Sequence, residues 1–124
     1  MARVLLIDDD ELVLETMQLA LAGTGHDVRT ARDGAEALGV AAEFRPDLVV
    51  TDIVMPQREG LETIRELRRN RPEVRIVAVS GGGSTRYSDY LDLARKFGAD
   101  RVLRKPFTPG ALRKIVEELL DDGV

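Results

Sequence analysis

The chain contains no cysteine, so disulfides and thiolate metal sites are excluded and a cytosolic setting is expected. No apolar run approaches the roughly 18 residues needed to cross a bilayer, and the first residues, MARVLLIDDD, lack the layout of a secretory signal. Repeats, low-complexity segments, linkers and blocks of one charge sign are also missing. With 18 basic against 22 acidic residues, the formal charge of −4 argues against direct binding of nucleic acid, which needs a basic patch. The only histidine, His26, falls in a turn before the second strand and reads as a surface residue at the far end of the sheet. At 124 residues there is room for one core, so 1–124 is expected to be a single domain with no output domain.

What is present is an alternation of two patterns. RVLLI (3–7), HDVRTA (26–31), DLVVT (47–51), VRIVAV (74–79) and DRVLR (100–104) read as strands. Three of them are nearly continuous Val, Leu and Ile, as expected where helices cover both faces of a parallel sheet. Amphipathic stripes between them predict helices: Val13, Met17, Ala20 and Leu21; Ala35, Leu38, Ala41 and Ala42; Leu61, Ile64 and Leu67; Leu91, Ala94 and Phe97; Leu112, Ile115, Val116, Leu119 and Leu120. Gly34, Pro46, Gly60, Pro72, the glycines at 81–83, Gly98 and Pro106 punctuate the elements. Five strands alternating with five helices predict an α/β fold with a doubly wound parallel sheet. Ligands of such sheets bind at the carboxyl ends of the strands, where strand order reverses.

Acids collect at those ends. Asp8, Asp9, Asp10 and Glu11 follow the first strand, and Asp52 stands alone among uncharged residues in VVTDIVMP. Ser80 ends the fourth strand and Lys105 the fifth. A lone buried carboxylate costs several kcal/mol unless compensated. Converging carboxylates persist where a hard divalent cation neutralises them, and magnesium is the natural candidate. The run 8–11 also reads as a helix start, with Asp10 as the N-cap. Asp52 and Lys105 are what turn the acid pair into a site.

With these residues in view, the sequence resembles the receiver domains of two-component response regulators over essentially its whole length. The resemblance rests on LLIDDDE, VVTDIVMPQREGLE, VAVSG and GADRVLRKPF, in order and at family spacing. It implies a five-stranded parallel sheet in the order 2-1-3-4-5, with five helices. It implies that Asp52 is the phosphoacceptor, that Asp9 binds Mg2+ directly and Asp8 mainly through water, and that the backbone carbonyl of Val54 completes the protein ligands. Lys105 would clamp a phosphoryl oxygen and Ser80 would hydrogen-bond another. The Lys105–Pro106 bond looks like the family's cis peptide.

The implied function is that of a phosphoacceptor with slow autodephosphorylation rather than a conventional enzyme. The donor would be a histidine kinase, a phosphotransfer protein or a small phosphodonor. The target surface would be the fourth helix, fifth strand and fifth helix, with Arg101 and Arg104 at its edge. Tyr87, Tyr90, Leu93 and Phe97 read either as core packing or as part of that surface.

The chain departs from the family at Val102, where many receivers carry the Tyr or Phe of their switch. Rearrangement of the fourth helix and its glycine loop is expected to take that role. Val54 and Gly82, two residues after Asp52 and Ser80, offer no group to orient an attacking water. The alternative reading is a receiver-like interaction module that works without phosphorylation. A small-molecule aspartate phosphatase would need an acid at Val54, and a flavin site would need a phosphate loop where the acids stand.

Overall fold

The computed structural model describes residues 2–53, 59–81 and 87–122, without the side chains of 59, 81, 87–91 and 122. Strands and helices alternate: β1 (Arg3–Ile7), α1 (Glu11–Leu21), β2 (Asp27–Ala31), α2 (Gly34–Phe44), β3 (Leu48–Asp52), α3 (Glu59–Asn70), β4 (Arg75–Gly81), α4 (Tyr87–Phe97), β5 (Arg101–Lys105) and α5 (Pro109–Asp122). All strand pairs are parallel, in the order β2-β1-β3-β4-β5. The order therefore reverses between β1 and β3, and the crevice above their carboxyl ends is where a ligand belongs. Most strand bounds lie within one residue of the sequence reading. β4 runs two residues further, so Ser80 lies within the strand, in register with Arg104.

The apolar strands face two cores. Leu5, Ile7, Val49, Ile76 and Ala78 pack with buried residues of α2, α3 and α4 on one side. Val4, Leu6, Leu48, Val50, Val77 and Val79 pack with those of α1 and α5 on the other. Successive side chains of a strand point to opposite faces, so strands buried on both sides must be apolar throughout.

Two helix faces differ from the expected stripes. In α1, Leu14 is buried with Met17, Ala20 and Leu21, while Val13 is only half-buried. In α2, the buried set is Gly34, Ala37, Ala41 and Phe44; Ala35 and Ala42 are exposed. Alanines all round α2 carry no contrast in size, so bulky Phe44, beneath the Arg29 guanidinium at 4.6 Å, sets the face.

Local signals fix the helix ends. Asp10 Oδ1 accepts from the Leu12 N–H at 2.9 Å, and Asp33 Oδ1 from the Glu36 N–H at 2.8 Å. Thr108 Oγ1 caps α5 ahead of Pro109.

His26 corrects an expectation. It lies at the amino end of the sheet, but it is not a surface residue: its side chain is 10% exposed. Nδ1 accepts the Ala2 N–H at 3.1 Å, so Nε2 carries the ring proton and donates it to Glu117, 2.8 Å away. A histidine with two specific partners is held in, and only tertiary contacts 24 and 91 residues distant in sequence reveal them.

Candidate functional site at the carboxyl ends of the strands

β1 delivers Asp8 and Asp9, β3 ends in Asp52, and β5 ends in Lys105. The sequence placed these four at strand ends, and the strand order brings them together. Asp8 is fully buried and Asp52 nearly so, whereas Asp9 is exposed. Oxygens of Asp8, Asp9 and Asp52 all lie within 4.8 Å of one another. Lys105 Nζ donates to Asp8 Oδ2 at 2.8 Å and to Asp52 Oδ2 at 3.2 Å. Asp8 Oδ1 accepts the Asp10 N–H at 2.9 Å. The peptide between Lys105 and Pro106 is cis, as the resemblance implied.

Burial pushes the Asp8 carboxyl above its ordinary range, against the opposing pull of Lys105 and the Asp10 N–H. Burial alone would lower the Lys105 pKa, but contacts with Asp8 and Asp52 outweigh it and raise the ammonium instead. Three carboxylates thus face one ammonium, an arrangement that favours a further cation. The donors suit a hard one: they are all carboxylate oxygens, one of them on an exposed residue that can exchange water for metal. The arrangement fits Mg2+.

Ser80 is fully buried, and its Oγ has no hydrogen-bond partner among the described residues. A buried hydroxyl without a partner costs of order 1–3 kcal/mol. Val102 is half-buried and packs into the α2–α3–α4 core beside Phe97 and Ala99. Val54, Gly82 and Gly83 lie outside the described residues, as do the side chains of Tyr87, Tyr90 and Leu91. Leu93 is 38% exposed and Phe97 half-buried, so both remain accessible from the α4 surface.

Three residues near the site, Gly60, Leu12 and Leu19, were not singled out from the sequence as candidates. Gly60 reads there as punctuation, but it sits buried in the first turn of α3 against the Asp52 backbone. Its signal would have been a glycine just inside a helix, where no turn needs one. Leu12 and Leu19, two turns apart on α1, are 72% and 66% exposed. Their clue was apolar residues lying off the stripe that α1 buries.

The chain matches the response regulator receiver domain family over residues 4–117. It is 38% identical to the response regulator MprA of Mycolicibacterium vanbaalenii, over 98% of this chain and 53% of that protein. It is 33% identical to the alkaline phosphatase synthesis transcriptional regulatory protein PhoP of Bacillus subtilis, over 95% of this chain and 48% of that one. The chain therefore spans about half the length of the curated relatives it matches. A CheY-like receiver domain protein from Methanospirillum hungatei superposes with a TM-score of 0.89 at 28% identity, covering 99% of this chain and 96% of that one. Among the described residues, no helix is long and apolar enough to cross a membrane. Fold, strand order and sequence agree, and the chain belongs to the response regulator receiver domains of two-component systems.

Proposed function

We propose that this receiver takes a phosphoryl group onto Asp52 from the phosphohistidine of a kinase or phosphotransfer protein, or from a small phosphodonor. The observation that carries the reading is Lys105 Nζ held between Asp8 Oδ2 and Asp52 Oδ2 beside a third carboxylate. In the reaction an Asp52 carboxylate oxygen attacks phosphorus. With a phosphohistidine donor the P–N bond breaks and its electron pair stays on the ring nitrogen, so a protonated ring leaves as neutral imidazole and an unprotonated one takes a proton from water; with acetyl phosphate the P–O bond breaks and acetate leaves. Asp8 keeps Lys105 over the acceptor, and the ammonium is then at hand for a phosphoryl oxygen. Mg2+ held by Asp9 and Asp52, with Asp8 in support and the Val54 carbonyl as a further ligand, would supply charge neutralisation.

The product adds about −1.5 to −2 of charge where Ser80 waits with an unused hydroxyl. Ser80 donates to a phosphoryl oxygen, drawing the end of β4 toward Asp52. With Val102 in the core in place of an aromatic switch, α4 and the segment before it carry the change to the α4–β5–α5 face and its target. Exposed Leu12 and Leu19, on the helix that begins beside Asp9 and Asp10, would receive the protein donor.

The test is intact-mass measurement after incubation with Mg2+ and acetyl phosphate or phosphoramidate, beside an Asp52→Asn variant. One phosphoryl group, absent from the variant and without Mg2+, supports the reading. No adduct with either donor, together with no response to Mg2+ or beryllofluoride, would refute it and favour an interaction module that works without phosphorylation.

A further inference from the structure

We propose that Gly60 is a positioning residue for the acceptor, an inference that rests on the reading of Asp52 given above. A Cβ on Gly60 would stand 2.4 Å from the Asp52 carbonyl oxygen, 2.6 Å from Ile53 Cα and 3.0 Å from the Ile53 carbonyl carbon. These are backbone atoms and cannot swing aside as a side chain can. Gly60 is not one of the glycines with positive φ, which among the described residues are Gly23, Gly25 and Gly98. Its requirement is therefore steric: the first turn of α3 is seated directly on the peptide that follows Asp52.

Other helical glycines show that this is specific. Gly39, inside α2, has nothing within 4 Å of its virtual Cβ, and Gly110 in α5 meets only Thr108 Oγ1, at 4.0 Å. The Asp52–Ile53 peptide is also held elsewhere. The Ile53 N–H donates to Val79 O at 3.0 Å, and Thr51 Oγ1 donates to Asp52 O at 3.1 Å. With β4 on one side and α3 seated on another, the Asp52 backbone is fixed. Its carboxylate therefore meets Lys105 and the other acids at one position.

An alanine at 60 leaves its methyl roughly 1 Å short of ordinary contact, so either the helix turn or the acceptor peptide must move by about that much. A displacement of that size at a reacting group costs about 10²-fold in rate.

The test compares wild type with Gly60→Ala, Gly39→Ala and Leu67→Ala, the last weakening the α3 core away from Asp52. Phosphorylation from phosphoramidate is timed well below the melting temperature of each variant, and the Asp52 13Cγ resonance is recorded in each. Gly60→Ala is expected to lose about 10²-fold in rate and to shift that resonance. Leu67→Ala and Gly39→Ala are expected to keep both. A folded Gly60→Ala with wild-type rate and resonance overturns the proposal, as does an equal loss in Leu67→Ala.

If wild type accepts no phosphoryl group, the functional reading fails, while the resonance still decides the positional claim. If Gly60→Ala is too unstable alone, it is read in the Gly39→Ala background. In wild type, Mg2+ is expected to shift the Gly60 amide together with that of Ile53, and a Gly60 amide that stays still refutes the coupling.

Discussion

Replacing Lys105 by methionine keeps the length of the side chain and removes the charge between two buried carboxylates. Nζ lies 2.8 Å from Asp8 Oδ2 and 3.2 Å from Asp52 Oδ2, and the Lys105 side chain is 20% exposed. Removing one partner of a buried ion pair costs about 3–5 kcal/mol, and partial access of water to Nζ lowers the expectation to about 2–3 kcal/mol. An exposed pair would cost less than about 1 kcal/mol, so the two cases are separable.

The pH dependence gives a sharper test than the size alone. Burial raises Asp8 above its ordinary value of 3.8, so the folded state holds the proton more tightly than the unfolded chain. Stability therefore falls as pH climbs from 3.8 through the folded value, and is flat above it. Without Lys105 the folded value moves further up and the fall becomes deeper. Lys105 itself is raised above 10.5, so its contribution is complete below 10.5 and disappears as pH rises through the folded value. The difference between wild type and Lys105→Met is therefore widest near neutrality and closes toward acid and toward strong alkali. Urea titrations across that range, with unchanged slope m, measure it. A difference that is absent at about pH 7, or constant from about pH 4 to about pH 8, would refute the argument.

Asp52→Asn relieves carboxylate repulsion and should raise stability by about 1 kcal/mol without Mg2+ while removing most of the stabilisation that Mg2+ gives, checked by melting with and without the ion. Ser80→Ala removes a buried hydroxyl that has no partner among the described residues, so stability should hold or rise by up to about 1 kcal/mol while the phosphorylation-linked NMR shifts in α4 are lost. Leu12→Ser with Leu19→Ser should slow transfer from a phosphohistidine protein by about tenfold or more and leave the rate from acetyl phosphate unchanged. Arg68→Ala deletes hydrogen bonds to Pro72 O, Val74 O, Gly98 O and Asp100 Oδ2, at a cost of about 2–4 kcal/mol in urea unfolding and with little effect on phosphorylation below the melting temperature.

The strands that carry the site were legible because β1, β3 and β4 are nearly continuous in Val, Leu and Ile, as a core on both faces requires. Asp8, Asp9 and Asp52 were legible because they break the apolar pattern at strand ends, and Lys105 because it ends the fifth strand before Pro106. Strand order was not readable from that pattern and came with the family resemblance. The face of α2 was misread because alanine, small on every side, does not tell in from out. His26 was misread because its partners, Ala2 and Glu117, meet it only in the folded chain. Gly60 was passed over for a related reason: a sequence shows that a side chain is absent but not which atoms occupy the space.

Charge is arranged differently at the two ends of the sheet. At the amino end Arg68 joins the entries to β4 and β5, and Arg113 donates to Ala20 O and Ala22 O at the end of α1. His26 is held between Ala2 and Glu117, and Asp47 Oδ2 accepts the Arg3 N–H at 2.8 Å. At the carboxyl end the same sheet gathers three acids near one lysine and buries a hydroxyl that has no partner among the described residues. Arg71 Nε is likewise buried without a partner among the described residues near the entry to β4, but the crowding of like charges lies at the carboxyl end. A fold tolerates such a conflict only where well-packed elements offset it, and the conflict marks where function resides. A metal ion and a phosphoryl group would answer both defects at once, the first by neutralising the acids and the second by giving Ser80 an acceptor.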